Sequence, residues 1–386
     1  MDLSLTAEQE EFRRVIAGFV ARDISPIALQ YEHSGQYPQE VVETMKSMGL
    51  FGLTVPEEFG GLGADSVTLA LAFEEISRGW MGVAGMLGTH TVVGALLARF
   101  GTQAQKSKWL MPMATGEVRA ALALTEPQAG SDLQGIATKA DIAGGSIVIN
   151  GAKSWITNAR RAHLIATLVK TDRDADPPHR GMSIVIIENG TAGFEVSRDL
   201  GKLGYKGPET CELVITNCEV PESNLIGGVQ GRGMQQALSA LQVGRINVAA
   251  RAVGISQSAF DKALAYSSQR RAFGETIDSF QAVQEKLADM ATAIQASRLM
   301  TWWAASQYDL SGRADVETGM AKLFASETAL KCSLDAMRIH GAYGYSTEFD
   351  IERLYRDAPL LAIGEGTNDI LRLLIAKRLI EEAKFQ

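Results

Sequence analysis

The chain has 386 residues, 46% of them hydrophobic and 21% charged, and a net charge of −8. That length exceeds one small core, so two or three domains of an ordinary globular protein are expected. The absence of a basic block argues against nucleic acid as the main partner, and no apolar run reads as long enough to span a bilayer.

Residues 1–120 read as an N-terminal α-helical domain. The opening Met1-Asp2-Leu3-Ser4-Leu5-Thr6 lacks the layout of a signal or transit peptide. Thr6-Ala7-Glu8-Gln9 is a capping box, with Phe12, Val15, Ile16, Phe19 and Val20 following at helical spacing. Pro26 closes that region, Gly60-Gly61-Leu62-Gly63 is a loop, and 67–77 and 91–100 are further helices with apolar stripes.

Residues 121–233 read as a central antiparallel β domain with one solvated face. Ile147-Val148-Ile149, Asn150-Gly151 and Trp155-Ile156 predict a hairpin with a tight turn. Strands are expected at 164–169, 182–187, 194–196 and 213–215, with a polar loop over 172–180. Residues 234–386 return to helices at 235–264, 281–308, 315–339 and 368–384, which suggests a C-terminal antiparallel four-helix bundle. The fold class is therefore α+β and multi-domain, mainly α, without βαβ alternation.

Three cysteines, Cys211, Cys218 and Cys332, have no metal spacing and cannot all pair. They read as reduced thiols of a cytoplasmic protein. Five scattered histidines make a metal enzyme unlikely on spacing, and no metal site is expected.

Five segments carry chemistry. Leu124-Thr125-Glu126-Pro127 through Gly130-Ser131-Asp132 is a turn rich in hydroxyls and amides, able to donate to a polar ring edge or a phosphate, and equally able to be a self-capped turn. Trp155-Ile156-Thr157-Asn158 sets an indole beside a hydroxyl, suited to a flat cofactor or to a sheet core. Arg270-Arg271-Ala272-Phe273-Gly274, then Phe280-Gln281, puts an Arg and an aromatic at a helix end, as a pyrophosphate would need or as a solvated end would have. Arg338-Ile339-His340-Gly341-Ala342-Tyr343-Gly344-Tyr345 breaks a helix and leads to Glu348, Arg353 and Asp357. No G-x-G-x-x-G follows a first strand, so a nicotinamide site is unsupported.

The fifth is Ile363-Gly364-Glu365-Gly366-Thr367-Asn368-Asp369, a carboxylate between glycines just before a helix. The glycines admit a ligand to the backbone and the helix start offers free amides. This suits removal of a proton next to a carbonyl. By itself the loop also fits a glutamate that caps a helix.

Together these segments resemble the acyl-CoA dehydrogenase family of flavoproteins, over essentially the whole chain and in the family's order. The stretch Thr125-Glu126-Pro127 to Gly130-Ser131-Asp132 fits its first signature, and Gly341 to Asp357 fits most of its second. Arg338 stands where Gln is usual, Ala342 where Gly or Ser is usual, and Ala272 where many members have a hydroxyl. The resemblance implies FAD, an acyl-CoA substrate, electron transfer flavoprotein as acceptor, a role in fatty acid β-oxidation, and a homotetramer with cofactor contacts across subunits. It implies that Leu124, Thr125, Ser131, Trp155, Ile156 and Thr157 face the flavin. Arg270, Phe273, Gln281, Arg338, Gly341 and Ala342 would hold the diphosphate and adenosine. Thr367 and Asp369 would complete the cofactor site, while Ser131, Arg245 and Gly366 would contact the substrate.

The implied reaction is α,β-dehydrogenation of an acyl-CoA to the trans-2-enoyl-CoA, with Glu365 taking the α-proton and hydride passing to flavin N5. The isovaleryl-CoA branch of the family carries its base on the first bundle helix, at the position of Gly244 here, which leaves Glu365. Many straight-chain members have Tyr where this chain has Gly364, so short or branched acyl groups are expected. An acyl-CoA oxidase, another flavin enzyme of the family, or a non-catalytic flavoprotein subunit are the alternatives.

Overall fold

The computed structural model describes residues 4–384. Residues 1–3, part of the segment read for a leader, lie outside the described residues, as do 385 and 386. The N-terminal helices are α1 (Ala7–Phe19), α2 (Ala28–Ser34), α3 (Gln39–Ser47), α4 (Ser66–Phe100) and α5 (Gln103–Ala114). The Thr6 capping box forms in both directions, with Gln9 N donating to Thr6 Oγ1 at 3.2 Å and Thr6 N to Gln9 Oε1 at 3.1 Å.

The two helices expected at 67–77 and 91–100 are parts of α4, which continues between them with one non-helical residue, Trp80 (φ −156°, ψ 114°). Gly82 and Gly85 look like helix breakers but serve close packing. A Cβ on Gly85 would overlap the Tyr205 ring, and one on Gly82 would overlap the Lys206 carbonyl. By length and hydropathy α4 could cross a membrane, contrary to the sequence expectation, yet most of it is buried within the protein. It is the central core helix.

The strands are β1 (Ala120–Ala123), β2 (Lys139–Ala143), β3 (Ser146–Thr157), β4 (Leu164–Lys170), β5 (Met182–Glu188), β6 (Phe194–Asp199) and β7 (Thr210–Pro221). They form one sheet in the order β1-β4-β2-β3-β7-β6, with β5 also on β4. The sheet is mixed rather than antiparallel, because β4 runs parallel to β1 and, at Lys139 and Lys170, to β2. Nor is one face solvated at its centre. Leu164, Ala166 and Leu168 pack into the helical core, and Ile165 and Val169 into a second cluster, so β4 is buried on both faces.

The predicted Asn150-Gly151 hairpin is not a turn. β3 runs through it with a register irregularity, and the hairpin lies earlier, at Gly144-Gly145 (φ 62° and 84°), between β2 and β3. Gly151 is required because Thr138 approaches so closely that any Cβ would collide with it.

The C-terminal helices are α6 (Gly233–Gln269), α7 (Gln281–Ser311), α8 (Asp315–His340), α9 (Ile351–Ile363) and α10 (Asn368–Ala383). A two-residue-per-strand hairpin, β8 (Arg271–Ala272) and β9 (Glu275–Thr276), joins α6 to α7. Helices α6, α7 and α8 pack on one another, α9 packs on α6 and α8, and α10 on α8. Helix α9 was not read from the sequence. Its charged residues point inward. Arg353 donates to Gly79 O at 3.0 Å and to Asp350, and Asp357 accepts from Tyr205 N at 2.6 Å. The spaced charges after Gly341 thus fasten α9 to α4 and to the loop carrying Tyr205.

Candidate active site

The loop between α9 and α10 is held from below by one buried lysine. Lys322 of α8 donates to Gly366 O at 2.9 Å and to Asn368 Oδ1 at 2.8 Å. Asn368 in turn donates to Ser326 Oγ and Glu327 Oε1. Burial pulls the Lys322 ammonium down to about 7, partly offset by the Glu365 carboxylate. Thr367 caps α10, accepting from Ile370 N at 3.3 Å, so the capping role that Glu365 could have had belongs to Thr367.

Glu365 itself sits at φ 56°, a strained conformation for a residue with a side chain, next to Gly366 at φ 89°. The residue as a whole is half-buried, but its Oε2 is out of contact with water and has no hydrogen-bond partner. It rests over α6 at Gly244, where an added Cβ would lie 2.5 Å from Oε2. Burial pushes the carboxyl above its ordinary 4.5, against the pull of Arg251, Arg245 and Lys322. An unsolvated carboxylate with a raised pKa is equipped as a base.

A second group of sequence-predicted residues lies on the sheet. The turn from Leu124 to Asp132 is built around Glu126, whose carboxylate accepts from Ala137 N (2.6 Å), Thr138 N (3.0 Å), Gln128 Nε2 and Lys153 Nζ (2.8 Å). Burial alone would raise Glu126; the Lys153 ammonium and these donors hold it down at about 2. Lys153 also donates to Leu124 O, and Ser154 N to Thr125 O, which ties the turn to β3. Thr125 is half-buried, Ser131 exposed and Leu124 buried. Trp155 has φ 63° and is 58% exposed as a residue, a large aromatic side chain without a full cover. Thr157 Oγ1 lies 3.4 Å from Thr210 Oγ1. The Ile156 side chain points into the sheet core, which leaves its backbone for any ligand.

Lys153→Met is expected to destabilise the protein by about 3–5 kcal/mol, because it strands a buried carboxylate. A urea midpoint unchanged from wild type would contradict this.

A third group lies at one end of the helical domain. Arg270 ends α6 with its guanidinium 5.8 Å from the Tyr343 ring centroid. Phe273, at φ 52°, is 97% exposed. Gln281 opens α7 and is exposed. Arg338 is paired loosely with Asp335 at 3.3 Å; Gly341 (φ 60°) and Ala342 are exposed, and a Cβ on Gly341 would meet nothing within 4 Å. Asp369 does not join this group: it is exposed beside Arg372 where the Glu365 loop enters α10, and its neighbour Asn368 bonds Glu327 in the middle of α8. The sheet group and the helix-end group therefore occupy different domains, and Glu365 belongs to a third position, over the first third of α6 at Gly244.

Arg245 is buried, and its Nε and Nη1 have no partner. Three residues near Glu365 were not singled out from sequence: Lys322, Arg251 and Tyr205. Arg251 Nη1 donates to Tyr205 Oη at 3.5 Å. The one available signal was an arginine inside the apolar run from Ile246 to Ile255. Among the described residues, no group of three or more His, Cys, Asp or Glu is placed to hold a metal ion.

Comparison with known proteins agrees across the chain. The N-terminal, middle and C-terminal domain models of acyl-CoA dehydrogenases match residues 6–117, 121–218 and 231–380. An acyl-CoA dehydrogenase of Bacillus subtilis is 41% identical over 98% of this chain and 99% of its own. The human mitochondrial short-chain specific acyl-CoA dehydrogenase is 39% identical over 94% of this chain and 87% of its own. The solved butyryl-CoA dehydrogenase of Megasphaera elsdenii superposes with a TM-score of 0.95 at 34% identity, over 98% of this chain and all of that one.

Proposed function

The chain belongs to the acyl-CoA dehydrogenase family, FAD-dependent oxidoreductases of acyl-CoA thioesters, and we propose that Glu365 is its base and that its acyl groups are short or branched. The observation that carries the first part is the buried, unpaired Glu365 Oε2 over Gly244. Nothing must be broken before it takes a proton, and no water competes for it.

The residues present fit FAD. The exposed Trp155 ring and the Thr157 hydroxyl suit a flat ring with polar edges. Arg270, Gln281 and the open Gly341 suit a diphosphate with its adenosine beside the bare Phe273. Leu124, Thr125 and Ser131 join the first surface and Arg338 and Ala342 the second, while Thr367 and Asp369, where the Glu365 loop enters α10, complete the cofactor site. When bound, FAD supplies the acceptor for the hydride that leaves the substrate's β-carbon. Glu365 takes the α-proton, and its backbone N–H donates to the thioester oxygen, stabilising the negative charge that develops there. Arg245 and Gly366 border the thioester.

Gly364 supports the short or branched acyl group. Its φ of −67° suits any residue, and an added Cβ would meet only Leu360 O at 3.4 Å. The backbone does not demand glycine, so the missing side chain is space left for substrate. Gly364→Tyr is expected to lower kcat/KM for isovaleryl-CoA about 10-fold relative to butyryl-CoA. An unchanged ratio would remove this support.

A homotetramer is part of the reading. The helix-end group that would bind adenosine is bare in one subunit, as are Leu373 (68% exposed) and Ile380 (58%) on α10. Electron transfer flavoprotein is the proposed acceptor, in β-oxidation. The test is a panel of short, branched and long acyl-CoAs added to purified holoprotein without oxygen. Bleaching of the flavin by short or branched groups, with slow reoxidation in air, is expected. Rapid peroxide formation would indicate an oxidase, and best activity on long straight chains would overturn the acyl preference.

A further inference from the structure

Arg251 is a buried guanidinium with no anion in hydrogen-bond contact; the Tyr205 ring lies 5.8 Å from its Cζ, and the Glu365 carboxylate acts on it only from beyond ion-pair distance. Arg251 is 7% exposed, forms no ion pair among the described residues, and its Nε has no hydrogen-bond partner. Its one side-chain hydrogen bond is the long contact from Nη1 to Tyr205 Oη. A guanidinium carries five donors, and leaving it unpaired inside a protein is costly. Such a residue persists where something else supplies the acceptor.

Its position says what that is. Gly244, Asn247 and Arg251 recur at i, i+3 and i+7, so they line one face of α6. Glu365 Oε2 touches this face at Gly244. Arg251 lies two turns further on, about 10 Å along the axis. The Asn247 amide lies between them, with Oδ1 also buried and unpartnered. Across from it runs α4, where Gly88 faces the Asn247 amide and Gly85 lies against the Tyr205 ring. Tyr205 is fixed in turn by Asp357, which accepts from its backbone N–H. A polar track therefore leads from the base to a fixed, cationic end, where an apolar acyl pocket would need neither Arg251 nor Asn247.

We propose that Arg251 binds a carboxylate at the far end of the acyl group, so that the substrates are short α,ω-dicarboxylic acyl-CoA thioesters. The inference rests on the dehydrogenase reading above and adds the substrate class. Carboxylate and guanidinium match in charge and in planar geometry. With the tail held, the α-carbon is held at Glu365 by the length of the chain, which favours acyl groups of about five carbons over the roughly 10 Å rise of α6 from Gly244, beneath Glu365, to Arg251.

The competing role for Arg251 is to steady the Glu365 carboxylate, on which it exerts the first pull among the three cations. The two roles differ in what they discriminate. Glutaryl-CoA and valeryl-CoA have acyl chains of equal length and the same CoA, so any contact of Arg251 with a CoA phosphate cancels in their ratio.

The experiment measures kcat/KM for both thioesters with wild-type holoenzyme, R251Q and R251K. Wild type is expected to prefer glutaryl-CoA, and R251Q to lower the glutaryl-to-valeryl ratio about 100-fold. R251K, which keeps the charge, should retain most of the preference. Wild-type preference for valeryl-CoA overturns the proposal even if R251Q does not fold. So does an R251Q that slows both substrates equally and shifts the pH profile, the signature of steadying Glu365. Bleaching by valeryl-CoA alone leaves the dehydrogenase standing without the carboxylate site; bleaching by neither sinks both.

Discussion

Glu365→Gln is expected to slow flavin reduction by an acyl-CoA on the order of 10⁴-fold. The amide keeps the shape and removes the negative charge and basicity that accept the proton. Nothing in the fold depends on that charge, since Oε2 makes no hydrogen bond and Thr367, not Glu365, caps α10. FAD content and CoA-ligand binding should therefore persist, as read from the bound flavin spectrum. The pH profile sharpens the test. The folded enzyme holds Glu365 above its ordinary 4.5, mainly through burial. The base is present above that raised pKa and is lost as pH falls through it. Reduction by wild type should thus decline on the acid side at a pH above the usual carboxylate range. This acid limb should vanish in Glu365→Gln.

The second large effect belongs to a residue with no functional group. Gly244→Ala places a methyl where the Glu365 carboxylate rests, 2.5 Å from Oε2. The atom displaced is the tip of a flexible side chain, so the fold can yield. Alanine in a helix interior is also favoured over glycine by about 1 kcal/mol. The variant should melt at or above the wild-type temperature, yet reduce its flavin about 100-fold more slowly, because a base moved by an ångström is a poor base. That combination, firmer and slower, separates positioning of Glu365 from general damage. A Gly244→Ala enzyme with wild-type reduction kinetics would mean that the carboxylate does not work from this place.

The site was partly legible in the sequence, for reasons visible in particular residues. Glu365 stood out because its flanking glycines and the following helix are local features. Gly244 could be weighed because the family offers a second position for the base. Arg251, Lys322 and Tyr205 could not be assembled in the same way. Their meaning depends on α6, α8 and the 203–207 loop converging on one carboxylate, and nothing in their own neighbourhoods announces that. The same distinction governs the fold. The capping box at Thr6 marks its helix locally, whereas the one the structure shows at Thr102 was not read. The glycines of α4 and Gly151 were ambiguous, since a glycine serves a turn or a close approach equally well. Tyr205 and Thr138, distant in sequence, decide for close approach. Helix α9 was hidden because its charges face inward, against the usual rule that charge marks the solvent side.

The most direct measurement is deuterium uptake at the α-carbon of butyryl-CoA, followed by mass spectrometry with anaerobic holoenzyme in D₂O. Wild type should exchange that position readily, and Glu365→Gln should leave it unlabelled although it still binds the thioester. Exchange at the wild-type rate in Glu365→Gln would show that another group removes the α-proton and would contradict the assignment of Glu365 as the base.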